Sequence, residues 1–316
     1  MTLVFCVYFM AVAFSIKPAG SSDRPPVRVV VANLETKTIG ELKMEYLQLI
    51  NKPKMNINRI RFCLELSNEV LGPNEKVLSA LQFPKEFTEI SLLFKDLGPQ
   101  ISWRTVFIVE YFVPMVAFPI IYMLRRASGA QISSWQSLLG ILFTLHFIKR
   151  EFETIFIHRF GTDTMPIMNI FKNSGYYWLF AIWIAHTCLN PLYTEPSDIS
   201  RRQFGVGLFA VCELLNLKSH IDLRNLRPAG TRIRQIPKGI LFSLISCPNY
   251  LFEILAWVGF TIASQTVASG VYTLVGAAQM TLWALQKHKR YGREFDGKDG
   301  KDVYPKSRKA IVPFIL

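Results

Sequence analysis

The chain has no basic stretch ahead of its apolar N-terminus, no Cys-x-x-Cys pair, no Gly-x-Gly-x-x-Gly loop and no P-loop. Each absence removes a class. Without a cationic start, residues 1–16 do not read as a cleaved signal peptide, and the run falls short of the ~20 apolar residues of a membrane span. The five cysteines, Cys6, Cys63, Cys188, Cys212 and Cys247, are scattered and odd in number. Neither a disulfide framework nor a zinc site is implied. The five histidines lack His-x-x-x-His spacing, so no metal is expected. A Rossmann or NTPase domain has no motif to rest on. Charged residues are also few, 19% of the chain, below the roughly 25% of an average soluble domain.

What is abundant is apolar. Half the residues are hydrophobic, with 24 Phe, 11 Tyr and 6 Trp, and the charges cluster between apolar runs. That is the pattern of a polytopic membrane protein. The expected spans are residues 105–124, 132–148, 175–190, 203–217, a broken fifth at 239–263, and 266–285. The net charge of +13 sits mostly in the loops. It therefore suits anionic lipid or a phosphate-rich ligand, and nucleic acid is not expected. Loops 149–172 and 220–238 and the tail from 286 hold eighteen Lys and Arg, against four in loops 125–131, 191–202 and 264–265. The positive-inside rule then places the N-terminal region and the C-terminus in the cytosol.

Residues before about 97 follow another pattern. Residues 12–17, 27–31, 61–66 and 89–94 read as strands, the first turning through 20–23. Thr38 and Glu41 form a capping box for a helix to about Ile50, with Leu42, Tyr46 and Leu49 on one face. This order fits a β-grasp, ubiquitin-like domain over 10–97, leaving 98–316 for the membrane region. The residues ahead of the first strand read as an apolar extension, with a short membrane anchor as the second reading.

Chemistry concentrates in four places. Ser246-Cys247-Pro248-Asn249-Tyr250 interrupts an apolar run, and Glu253 shares a helical face with Asn249. Polar groups at membrane depth mark a cavity wall; the alternative is a Pro-kinked helix with snorkelling groups. The basic stretch 216–234, with Arg227, Arg232 and Arg234, suits phosphates or, equally, lipid headgroups. Lys287 and Tyr291, one turn apart, fit an amphipathic surface helix as well as a site. Lys149 and Glu153 can pair at i,i+4, and Glu110 is a carboxylate within the first span, functional or snorkelling.

Taken together the motifs resemble the steroid 5α-reductase superfamily, and within it the very-long-chain trans-2-enoyl-CoA reductases. The resemblance is carried by Ser246-Cys247-Pro248-Asn249-Tyr250 with Glu253, Leu226-Arg227-Pro228-Ala229-Gly230 and the ending Ile311-Val312-Pro313-Phe314-Ile315-Leu316. Lys149-Arg150-Glu151, His158-Arg159-Phe160, Thr164-Met165-Pro166 and Asn190-Pro191-Leu192-Tyr193-Thr194 extend it over nearly the whole chain from about residue 10. It implies an α-helical polytopic membrane protein of about six to seven spans in the endoplasmic reticulum, with an N-terminal β-grasp ubiquitin-like domain. It implies NADPH as cofactor, contacted by Asn216, Arg227, Asn249, Glu253 and Tyr291; from the basic stretch, Arg227, Arg232 and Arg234 are the candidates for its phosphates. His220 replaces a cofactor-binding aspartate of the steroid enzymes, and Phe147 their steroid-contacting tyrosine, which argues against a steroid substrate.

The implied reaction reduces a long-chain trans-2-enoyl-CoA, with hydride to C3 and a proton to C2, as the last step of very-long-chain fatty acid elongation. Tyr250 would be oxyanion donor or acid. Lys149 would raise its acidity or hold CoA phosphates. Glu110 would lie on the substrate side. Membrane lipid and the other elongation enzymes (elongase, ketoacyl-CoA reductase, hydroxyacyl-CoA dehydratase) are the expected partners, the last through the ubiquitin-like domain. The competing readings are a 3-oxo-Δ4-steroid or sterol reductase, a membrane methyltransferase and a non-catalytic adaptor of the endoplasmic reticulum.

Overall fold

Phe14 and Ile16 of Val12–Pro18 (β1) and Val29 and Val31 of Val27–Val31 (β2) point into the core at alternate positions, and these strands pair antiparallel in the computed structural model, which describes residues 11–20, 25–67, 70–81, 88–160, 163–226, 235–298 and 302–316. Residues 1–10, and with them most of the apolar extension, lie outside the described residues, as does most of the turn expected at 20–23. Ile60–Leu64 (β3) runs antiparallel to Glu89–Asp96 (β4), which pairs in parallel with β1. The sheet order is β2-β1-β4-β3.

The helix Ile39–Leu49 (α1) covers this sheet. Its capping box is present: Glu41 N donates to Thr38 Oγ1 at 3.2 Å, and Thr38 N donates to Glu41 Oε2 at 2.7 Å. Ile39, Leu42, Tyr46 and Leu47 pack with Phe14, Ile16, Phe62 and Leu92 in one core. Leu49, expected on that face, is instead exposed, because the helix ends there and Ile50 turns in behind it.

A two-stranded pair, Gln100–Ser102 (β5) with Thr164–Pro166 (β6), binds residues 162–168 to this unit. By compactness the first unit runs to Trp103 and takes in a segment sixty residues further along.

The described residues beyond this unit are mainly helical: Trp103–Ala127 (α2), Ser134–Phe152 (α3), Met168–Cys188 (α4), Ile199–Asn225 (α5), Pro248–Ser264 (α6) and Val267–Glu294 (α7). By length and composition α2 and α5 are long and apolar enough to cross a membrane. A π-helical turn, Glu153–Ile157, prolongs α3. Aromatic rings from α2, α3, α4, α6 and α7 form the core around Phe143, Phe147, Trp257 and Tyr272.

α5 and α6 meet backbone to backbone. A Cβ built on Gly259 would lie 2.6 Å from the Phe209 nitrogen and 2.7 Å from the Gly205 carbonyl oxygen. Only hydrogen fits at both positions.

Three expected segments are corrected. The fifth run is not a broken helix. Residues 239–247 are non-helical apart from a short 3₁₀ turn, Ile240–Phe242, and Pro248 starts α6 at its first position, where its missing N–H costs nothing. The freed backbone of Ser246 and Cys247 donates instead to the carbonyls of Lys309 and Ala310, at 2.8 and 3.1 Å. α5 continues to Asn225, so Asn216 and His220 are helical residues and not part of a basic loop. Lys287 and Tyr291 belong to the continuous α7 and not to a separate surface helix.

Candidate active site

The helical periods of α3, α5 and α6 bring their polar residues to one place. His146 and Lys149 lie one turn apart on α3, Glu213 and Asn216 one turn apart on α5, and Asn249 and Glu253 one turn apart on α6. Glu213 serves both α3 residues: Oε1 is 2.7 Å from His146 Nδ1 and Oε2 is 2.7 Å from Lys149 Nζ. Lys149 also donates to Asn216 Oδ1 at 2.6 Å. Asn216 Nδ2 donates in turn to the carbonyl of Asn249 at 2.8 Å. On the far side, His146 Nε2 lies 3.4 Å from Glu253 Oε1, which also accepts from Trp257 Nε1.

Two acceptors of this cluster, Asn249 Oδ1 and Glu253 Oε2, are buried with neither a hydrogen-bond nor an ion-pair partner among the described residues; Glu213 Oε2 faces Lys149. They lie four residues apart on α6 and so share one face. An unfilled buried acceptor is costly. Two of them, one anionic, describe a place for a ligand that donates hydrogens, such as the hydroxyls of a ribose or the NH₂ of a carboxamide. The chemistry of these acceptors fits the nicotinamide-ribose end of a dinucleotide.

A second cluster adjoins the first. Arg150 donates to Glu153 and, at 3.0 Å, to the hydroxyl of Tyr111, with its NH1 3.2 Å from His220 Nε2. The rings of His158 and His220 are 4.8 Å apart. Burial, with Arg150 and Lys149 nearby, pushes the His158 imidazole down to about 3. Glu153, His158 and His220 bring ligand atoms within 4.8 Å of one another, a grouping that histidine spacing alone does not anticipate. The Arg150 guanidinium already supplies the positive charge among them. Glu110, at 2% exposure, stands beside Tyr111 and Asn173.

The remaining expected residues are placed differently. Tyr250 is in the first turn of α6, half-buried against Trp283. The ammonium over its ring is that of Lys287, 5.7 Å from the centroid. Lys149 is engaged with Glu213, Glu153 and Asn216, so the structure does not bring it onto Tyr250. Asn216 has both ends of its amide engaged within the protein. Tyr291 is buried and stacks on Tyr304 with ring centroids 5.3 Å apart. Arg227, Arg232 and Arg234 lie outside the described residues. His146 opens the sequence stretch 146–153 that also holds Lys149 and Glu153, whereas its pairing with Glu213 is not evident from the sequence. Their spacing from Lys149 and Asn216, three residues on a helix, is the one signal that points to the pair.

A family model described as 3-oxo-5-alpha-steroid 4-dehydrogenase matches residues 163–316. A very-long-chain enoyl-CoA reductase of Dictyostelium discoideum is 45% identical over 289 residues, covering 88% of this chain and 92% of the relative. The chain belongs to the very-long-chain enoyl-CoA reductase family. A further family member, a probable very-long-chain enoyl-CoA reductase of Caenorhabditis elegans, is 40% identical over 89% of this chain and 92% of its own length. A trans-2,3-enoyl-CoA reductase-like protein of Homo sapiens is 30% identical over 96% of this chain and 84% of its own length. Membership makes the chain a mainly helical membrane protein and an oxidoreductase. The residues that face one another on α3, α5 and α6 are thus part of a reductase.

Proposed function

We propose that this protein reduces the C2–C3 double bond of long-chain trans-2-enoyl-CoA with NADPH, as the last step of very-long-chain fatty acid elongation. The observation that carries the reading is the pair of open buried acceptors, Asn249 Oδ1 and Glu253 Oε2, on one face of α6. The enoyl-CoA substrate follows the names of the relatives.

NADPH, when bound, supplies a hydride to C3. Asn249 and Glu253 would accept hydrogen bonds from donors of its ribose and carboxamide. Arg227, Arg232 and Arg234 are the cations assigned to its phosphates, and Tyr291 is a further contact. Lys149 and Asn216 act on this face through α6, since Asn216 holds the Asn249 carbonyl.

Hydride arriving at C3 leaves negative charge on the thioester oxygen, and C2 then needs a proton. Tyr250 is assigned to that chemistry as hydrogen-bond donor or acid. Glu110 is assigned to the substrate side. Phe147 is buried among Phe143, Tyr177 and Trp257 and offers no hydroxyl to a steroid ketone, which favours the acyl chain.

The N-terminal unit is read as a β-grasp, ubiquitin-like domain. A helix over a mixed sheet with a central parallel pair supports this. Its assigned task is docking to the elongase, the ketoacyl-CoA reductase and the hydroxyacyl-CoA dehydratase. The endoplasmic reticulum is the assigned membrane, with the N-terminal unit and C-terminus cytosolic, as the loop charges favour.

The test is product analysis with the purified protein in detergent, a long-chain trans-2-enoyl-CoA and NADPH deuterated at the transferring position. The expected product is the saturated acyl-CoA carrying one deuterium at C3. NADPH binding without reduction of any enoyl-CoA, together with reduction of a steroid enone, would overturn the proposal.

A further inference from the structure

The polar contacts of the first cluster form a closed circuit through three helices. It runs from His146 to Glu213, to Lys149, to Asn216, to the Asn249 carbonyl, along one turn of α6 to Glu253, and back to His146. Two members, His146 and Glu213, have each side-chain nitrogen or oxygen within 3.4 Å of an ion-pair partner in the protein. Both oxygens of Glu213 face cations or imidazole, and both nitrogens of His146 face carboxylate oxygens. Glu253 is different. His146 and Trp257 meet the same oxygen, Oε1, which fixes the carboxylate and leaves Oε2 open.

Packing alone does not explain a buried carboxylate and imidazole, because apolar residues of the same volume fill the space with no desolvation penalty. What the pair adds is orientation. We propose that His146 and Glu213 are positioning residues for the cofactor. Through Oε1, His146 sets the rotation of Glu253. Through Lys149 and Asn216, Glu213 sets the first turn of α6, so that Glu253 Oε2 and Asn249 Oδ1 face the ligand together. The inference rests on the cofactor reading of that face given above.

The experiment measures NADPH affinity, by quenching of protein fluorescence, and steady-state kinetics on the full-length protein in detergent. The variants are Glu253→Gln, His146→Ala, His146→Gln, Glu213→Gln and the double variant His146→Ala/Glu253→Gln. His146→Ala and Glu213→Gln should each weaken NADPH binding by about tenfold or more, with the KM for enoyl-CoA little changed. The double variant should bind no more weakly than the worse of its two singles, because His146 acts through Glu253. His146→Gln, which keeps one hydrogen bond, should recover part of the loss.

Should His146→Ala fail to fold, the near-isosteric Glu213→Gln carries the test. If Glu253→Gln weakens NADPH binding while His146→Ala and Glu213→Gln leave it intact, or if the losses in the double variant multiply, the positioning role is wrong and the cofactor reading stands. If Glu253→Gln itself leaves NADPH affinity unchanged, the cofactor reading of this face falls and the positioning role with it.

Discussion

Asn216 donates its side-chain amide to the backbone carbonyl of Asn249 at 2.8 Å, tying the middle of α5 to the first turn of α6. In the proposed reading both residues bear on the cofactor, one by holding the helix and one by facing the ligand. Asn216→Asp keeps the shape and sets a carboxylate oxygen against that carbonyl. It should weaken NADPH binding by about tenfold or more, the scale of a lost buried hydrogen bond. Fluorescence titration checks it, and unchanged affinity would remove Asn216 from the site.

The Gly205–Gly259 contact gives a stability prediction. Gly259→Val forces the backbones of α5 and α6 apart, since no flexible side chain can yield. The expected loss is at least the ~1–3 kcal/mol of ordinary overpacking. A Cβ added at Gly207 would meet nothing within 4 Å, so Gly207→Ala should be neutral or stabilising by up to ~1 kcal/mol. Thermal unfolding in detergent separates the two.

Lys43, at 6% exposure, donates to Asn74 Oδ1 at 2.7 Å. Burial, with Arg61 nearby, pushes its ammonium down to about 8 from the ordinary 10.5. The unfolded chain therefore binds this proton more tightly between those values. Stability of the N-terminal unit should rise as pH climbs from about 8 to 10.5, because the penalty for the buried charge disappears across that window. Lys43→Met should flatten the profile and stabilise the unit at pH 7 by roughly 1–3 kcal/mol. Hydrogen exchange of the α1 amides, corrected for intrinsic rates, reads both effects.

Ser246 is fully buried. Its Oγ lies 2.6 Å from His288 Nδ1 and 2.7 Å from the Tyr304 hydroxyl, and 3.1 Å from the Lys309 carbonyl oxygen. Ser246→Ala leaves those groups short of a partner, at a cost of about 1–3 kcal/mol. The tail 309–316 should then exchange its amides faster and be trimmed sooner by carboxypeptidase. Unaltered trimming would contradict the role.

The N-terminal sheet is legible in the sequence because its strands alternate and its helix carries a capping box, signals that sit within a few residues. The start of α6 is not. Residues 239–247 are as apolar as a span, and their backbone is satisfied by Lys309 and Ala310, about sixty residues away. The length of α5 is hidden for a related reason: Asn216 and His220 look like loop residues until Lys149 and Arg150 of α3 and the Asn249 carbonyl of α6 meet them. Tyr250, Asn249 and Glu253 stand out as polar groups in an apolar run. The pairing of His146 with Glu213 does not, because each has its meaning only through a partner on another helix.

The most direct test compares wild type with Tyr250→Phe for NADPH oxidation on a long-chain trans-2-enoyl-CoA, with NADPH affinity measured in parallel. The expected result is turnover by wild type, a fall of about a hundredfold or more in kcat for the variant, and equal NADPH binding by both. Equal turnover by the two proteins would remove Tyr250 from the chemistry. Absence of turnover by a wild type that binds NADPH would contradict enoyl-CoA as the substrate.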